Sequence, residues 1–131
     1  MDIAIEVGQR LLRGADHERT RGAFGEAGTR PGEVYSSEDV LRLEQRGIFA
    51  REWLCVGREA DIPKAGDWFL KEIAGDSVIV TRDAEGVINA FYNVCRHRGS
   101  RLLDEPQGHG LARILCPYHA WSYHLDGSLQ N

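Results

Sequence analysis

The sequence predicts a mainly β domain, an antiparallel sandwich or barrel with two cysteine–histidine loops, preceded by a helical arm. Three observations lead there. Short runs of β-branched and aromatic residues recur from Trp53 onward, separated by turn residues. Two of these runs are followed by a loop that pairs one cysteine with one histidine. The first 47 residues show helical spacing and a glycine-rich stretch instead.

Within that arm, Ile3, Val7 and Leu11 lie four apart with Leu12 beside them, which predicts a short amphipathic helix over 3–13. Gly14 to Gly32 holds five glycines and Pro31 and reads as irregular chain. Ser37 stands before Glu38, Asp39 and the Val40/Leu41/Leu43 set. It is the expected N-cap of a helix of about ten residues ending at Gly47. The body of the domain is then expected over 48–131.

Six strands are expected: Trp53–Val56, Trp68–Ile73, Ser77–Arg82, Val87–Tyr92, Ala112–Leu115 and Trp121–Leu125. Turn chemistry lies between them at Gly57, Pro63, Gly66, Gly75-Asp76, Asp83 to Gly86 and Asp126-Gly127. Cys55, in the first of these runs, is expected to be a buried core residue. The last residues read as a hairpin turn entering a strand cut off in mid-pattern, as in a piece of a larger protein.

The loops after the Val87–Tyr92 and Ala112–Leu115 runs carry the chemistry. Cys95-Arg96-His97 and Cys116-Pro117-Tyr118-His119 give the pattern C-x-H, eighteen residues, C-x2-H. Two thiolates and two imidazoles suit a [2Fe-2S] cluster with cysteines on one iron and histidines on the other. Such a cluster works at a higher potential than an all-cysteine one, and its chemistry is one-electron transfer. Cys95, His97, Cys116 and His119 are therefore the candidate ligands of both metal and cofactor. A structural zinc module is the rival, since zinc also accepts two cysteines and two histidines. Zinc fingers, however, usually present a cysteine pair and then a histidine pair, whereas each loop here mixes the two.

Composition sets the outer bounds. The 131 residues suit one domain, and a net charge of −4 offers no global basic field for nucleic acid. No apolar run approaches the roughly 20 residues of a membrane span, and the acidic N-terminus lacks the basic start of a signal peptide. Three cysteines, two of them already assigned as ligands, argue against a disulfide framework and for a reducing compartment. The cytoplasm is the expected location.

The run Phe91-Tyr92-Asn93-Val94-Cys95-Arg96-His97-Arg98-Gly99 is followed by Cys116-Pro117-Tyr118-His119-Ala120-Trp121-Ser122-Tyr123 and Leu125-Asp126-Gly127. Together they resemble the Rieske domain of oxygenase α subunits, from the aromatic-ring-hydroxylating dioxygenase family and its quaternary-amine relatives. The resemblance reaches back through Ile48-Phe49, Trp53, Val56-Gly57, Ile62-Pro63 and Gly66-Asp67. It implies a Rieske-type β fold and an oxidoreductase role: electrons pass from a reductase or ferredoxin to a mononuclear Fe(II). In the family that iron is held by two histidines and a carboxylate in a separate C-terminal domain, usually of the neighbouring subunit in a homotrimer, and it drives O2-dependent hydroxylation or demethylation. A fragment like this one would not hydroxylate alone. A stand-alone Rieske ferredoxin is the alternative within the same redox class.

Respiratory Rieske proteins carry two further cysteines that clamp the loops; Ser100 and Tyr118 occupy those positions here. They also place a serine hydroxyl near the cluster sulfur, where this chain has Trp121. Without that donor the potential should lie nearer roughly −150 than +300 mV. Trp121 and Tyr123 are expected to pack beneath the cluster. Arg96, Arg98 and Arg101 read either as a basic rim for an acidic redox partner or as a solvated surface paired with carboxylates such as Asp104 and Glu105. His17, His109 and His124 have no partner at ligand spacing and read as surface or hydrogen-bonded histidines.

Overall fold

The structure, a computed structural model, describes residues 15–131. The helix expected over 3–13 lies outside the described residues. The chain divides between Trp53 and Leu54 into two compact units.

In the first unit a 3-10 turn, Ala15–Arg21, leads through irregular chain to α1 (Gly32–Ser36) and α2 (Glu38–Glu44). Ser37 caps α2 as expected, its hydroxyl accepting the Val40 N–H at 3.4 Å. Glu38 and Asp39 sit at the positive end of the helix, where Arg42 pairs with both at 3.3 and 3.1 Å. Gly47 does not end the helix. A π-turn, Gln45–Phe49, carries the winding past it. The 3-10 turn replaces part of the stretch expected to be irregular, and α1 begins at its end.

The second unit holds two antiparallel sheets. Strands β1 (Trp68–Ile73), β2 (Asp76–Arg82), β3 (Ile88–Tyr92) and β4 (Gln107–Gly108) form one, in the order β3-β2-β1-β4. Strands β5 (Ile114–Leu115) and β6 (Ser122–Tyr123) form the other. The β1–β2 connection is a two-residue turn with Ala74 and Gly75 both at positive φ, 53° and 95°, which matches the right-handed twist of the hairpin. Between β2 and β3, Asp83 folds the loop by accepting the Val87 N–H on its carboxylate at 2.7 Å.

One core joins the two sheets. Ile79 of β2, Ile114 of β5 and Tyr123 of β6 meet Leu102, Leu125, Cys95 and Cys116. Each fully buried aliphatic side chain here contributes about 1.5–3 kcal/mol. The Thr81 hydroxyl donates to the Leu125 carbonyl at 2.5 Å, a buried polar tie from β2 to the chain just after β6.

Three expectations are corrected. Trp53–Val56 forms no strand: its backbone joins no ladder, Trp53 is fully exposed, and Cys55 is exposed rather than buried. Apolar content alone cannot make a strand without a partner edge. The last two expected strands shrink to Ile114–Leu115 and Ser122–Tyr123 because the loops beside them take their ends. Conversely, Gln107-Gly108 carries no strand signal, yet it pairs with Trp68 and Phe69 on the free edge of β1.

Candidate metal centre

The two cysteine–histidine loops share one backbone frame. In the first, the Cys95 N–H donates to the Ser100 carbonyl at 2.7 Å and the Gly99 N–H returns to the Cys95 carbonyl at 2.9 Å. In the second, the Cys116 N–H donates to Trp121 at 2.7 Å and the Ala120 N–H returns to Cys116 at 3.0 Å. Both turns need a left-handed residue at the fifth position, filled by Gly99 at φ 70° and Ala120 at φ 59°. On this common frame the histidine occupies the third position in one loop and the fourth in the other. That explains why C-x-H and C-x2-H occur together.

The frame sorts the side chains by depth. Cys95 and Cys116 are each 2% exposed and belong to the core, while His97 and His119 lie exposed at the loop tips. Cys95 and Cys116 belong to the same buried core cluster. The His97 and His119 rings meet edge-on with centroids 4.9 Å apart. Among the described residues no three His, Cys, Asp or Glu side chains converge on a single point. The two imidazoles touch each other, and the two cysteines share one buried cluster.

The surroundings of Cys95 suit a thiolate. Burial pushes its pKa up, but hydrogen bonds outweigh burial. The Tyr123 hydroxyl contributes most, followed by the His97 backbone, the Cys116 thiol and the Arg98 backbone, and together they hold the thiol below the ordinary cysteine range. Tyr123 itself is pushed up, by burial first and then by its contact with Cys95.

Asn93, two residues before Cys95, is a positioning residue that motif reading passed over. It is buried at the end of β3, and its carbonyl oxygen accepts the Leu102 and Leu103 N–H groups at 3.0 and 2.9 Å. Its amide donates to the Leu103 carbonyl at 2.6 Å. The first loop therefore leaves and returns through one side chain. A buried-range polar residue ending an apolar strand was the available signal.

The remaining candidates separate cleanly. Arg101 is engaged, with Glu72 at 3.3 Å, Asp104 at 3.5 Å and the Leu103 carbonyl at 3.1 Å. Arg96 and Arg98 are exposed, and their guanidinium groups have no ion-pair partner among the described residues. Trp121 packs against the core cluster that holds Cys95 and Cys116, and its indole also lies against the His97 ring with centroids 4.8 Å apart. Tyr123 is where it was expected. His109 is tied to Asp67 at 2.9 Å, and His124 is exposed just after β6.

Residues 52–131 match the family model of the Rieske [2Fe-2S] domain. The chain belongs to the Rieske [2Fe-2S] domain family. It is 46% identical over 99 residues to the oxygenase subunit of a glycine betaine monooxygenase from Chromohalobacter salexigens, covering 76% of this chain and 22% of that one. Among solved structures, a quaternary ammonium Rieske monooxygenase, reported for insights into carnitine oxidation and inter-subunit electron transfer, superposes with a TM-score of 0.71 at 39% identity. The match covers 77% of this chain and 27% of that one. Naphthalene 1,2-dioxygenase from Rhodococcus sp. superposes with a TM-score of 0.80 at 30% identity, covering 96% and 27%. This Rieske chain spans about a quarter of the length of the relatives it matches. No helix among the described residues is long and apolar enough to cross a membrane.

The donor set fits the cluster of this family. Two buried cysteines of one core cluster suit one iron of a [2Fe-2S] unit, and two adjacent imidazoles suit the other.

Proposed function

We propose that this chain is the electron-transfer module of the oxygenase subunit of a Rieske non-haem iron oxygenase. The observation that carries the reading is the sorting of the four side chains, with both cysteines buried in one core cluster and both histidines exposed and in contact. Cys95 and Cys116 would hold one iron and His97 and His119 the other. The bound cluster supplies reversible one-electron chemistry at a potential set by its mixed ligands.

The protein's own groups shape that chemistry. Burial of the two cysteines keeps water from the sulfurs. The Tyr123 hydroxyl and the backbone around His97 and Arg98 stabilise negative charge on Cys95. Exposure of the two imidazoles puts the shortest route out of the centre at the loop tips, where Arg96 and Arg98 add positive charge.

Electrons arrive from a reductase or ferredoxin. They would pass to a mononuclear iron in a catalytic domain, in a trimer that of the neighbouring subunit, for O2-dependent hydroxylation or demethylation. Similarity to oxygenase subunits several times longer than this chain supports this arrangement. Three free cysteines favour a reducing location, the cytoplasm.

Metal and sulfide analysis, with absorption and electron paramagnetic resonance spectra, tests the reading. Equal iron and acid-labile sulfide are expected, with imidazole nitrogen coupled to the reduced cluster. Cys95→Ser and Cys116→Ser should each lose the colour. A colourless zinc protein, or cysteine variants that remain iron-replete, would overturn it.

A further inference from the structure

We propose that His109 and Asp67 form a proton-dependent clip that holds the β4–β5 connection against the turn before β1. The pair stands apart from the cysteine–histidine loops. β3 ends at Tyr92, opposite Val78, and runs on to Cys95, whereas Asp67 and His109 flank the Trp68–Gly108 pairing at the other end of the sheet. Backbone packs closely there. The Leu111 N–H donates to the Gly66 carbonyl at 2.9 Å, and a Cβ on Gly66 would stand 2.8 Å from Leu111 backbone. Gly108 is pressed as closely on the Trp68 indole. Between these two contacts His109 has glycine on either side, with Gly110 at φ 66°, a stretch of permissive backbone.

One side chain ties that stretch down. His109 Nδ1 meets Asp67 Oδ1 at 2.9 Å, and the other Asp67 oxygen accepts the Lys64 N–H at 2.8 Å. Asp67 is buried with both oxygens engaged, whereas the His109 side chain is 73% exposed and exchanges protons with water. While His109 carries two ring protons and Asp67 none, the contact is both an ion pair and a charge-assisted hydrogen bond. Loss of the second ring proton leaves a hydrogen bond without the ion pair, and histidine makes that change between pH 5 and 8. Two other cations face the pair. Lys64 acts on Asp67 by charge as well as through its N–H. Arg82 donates its N–H to the Asp67 carbonyl but sends its guanidinium to Ile62, Gly86 and Glu59. Lysine and arginine hold their charge across this range, so the ring proton sets the pH response. The clip is tightest in mild acid and slackens as pH rises. The connection it holds runs through β5 into the Cys116 loop.

Hydrogen–deuterium exchange of the full-length, cluster-loaded oxygenase tests the clip, read by mass spectrometry on the peptide holding 107–113 from pH 5.5 to 8.5. Rates are divided by those of the unfolded chain at each pH, and the β2–β3 hairpin serves as internal reference. In the parent, protection of 107–113 should fall by roughly two- to fivefold across this range, the scale of a partly exposed ion pair, while the hairpin stays constant. His109→Gln keeps an amide donor without charge, and Asp67→Asn keeps an acceptor without charge. Each should begin with lower protection at pH 5.5 and show no pH dependence. Should one variant fold poorly, the other still removes the ion pair and decides. A parent whose protection is flat in pH, or variants that keep the parent's slope, would overturn the proposal.

Discussion

The Tyr123 hydroxyl lies 3.2 Å from the Cys95 sulfur and accepts the Arg96 N–H at 3.0 Å. The amide occupies an oxygen lone pair, so the phenolic hydrogen is free to point at the sulfur. A donor there stabilises the more negative, reduced centre. Tyr123→Phe should therefore lower the midpoint potential. A hydrogen bond of about 1 kcal/mol corresponds to roughly 45 mV for a one-electron couple. Voltammetry of the two forms measures the shift, and an unchanged or raised potential would refute it.

Asn93 anchors the same loop from its other side. Asn93→Leu removes the partners of two N–H groups and one carbonyl in the Leu102–Leu103 segment. Each buried group left unpaired costs about 1–3 kcal/mol. The expected loss is about 3 kcal/mol or more, a fall of roughly 10 °C in thermal midpoint. Calorimetry, with iron content measured alongside, checks it. A variant that melted with the parent would remove Asn93 from this role.

How much of this was legible in the sequence depends on what each feature needs. Cys95, His97, Cys116 and His119 could be named from spacing, because loop length limits how far a ligand can reach. β1, β2 and β3 could be read from alternating β-branched residues that carry their own signal. β4 could not, because Gln107-Gly108 is a strand only by virtue of the β1 edge beside it. Cys55 misled for the same reason in reverse: its neighbours look like a strand and find no ladder. Trp121 packs against the cysteine-bearing core as expected, but its stacking on His97 links two loops that periodicity cannot orient.

The three arginines of the first loop divide by their partners. Arg101 is neutralised internally by Glu72 and Asp104, whereas Arg96 and Arg98 present open charge beside His97. Reduction by an acidic donor should slow as salt rises. Arg96→Gln and Arg98→Gln should each slow it on the order of a few fold at low salt and flatten the salt dependence. Arg101→Gln should change it little. Stopped-flow reduction at several ionic strengths separates the three. Equal effects at all three positions would contradict the division.

Ala120 sits at φ 59°, where its counterpart in the first loop is Gly99 at φ 70°. A side chain in this left-handed region costs about 1–2 kcal/mol, offset in part by glycine's greater freedom when unfolded. Ala120→Gly should stabilise the protein by about 1 kcal/mol, roughly 4 °C. Gly99→Ala should do the opposite by backbone strain alone, since no atom lies within 4 Å of an added Cβ. Thermal melts of both variants decide, and a stabilising Gly99→Ala would show that the frames differ.

Asp67 shows how acid should loosen the chain just before β1. Its carboxylate is 3% exposed and accepts the Lys64 N–H at 2.8 Å, with His109 at 2.9 Å on the other oxygen. The Lys64 backbone hydrogen bond, then the His109 contact, hold its pKa below the ordinary carboxylate value against the opposing effect of burial. A carboxyl with a lowered folded pKa binds its proton more weakly than in the unfolded chain. Its stabilisation is therefore complete above the unfolded value, near 3.9, and is lost as pH falls through the lowered one. Asp67→Asn can still accept the Lys64 N–H, so comparison with the parent isolates the charge. The parent should be more stable at pH 5, and the gap should close as pH drops below about 4. Denaturant melts from pH 5 downward measure it. A gap that stayed constant to pH 3 would mean that the Asp67 charge contributes nothing to the fold.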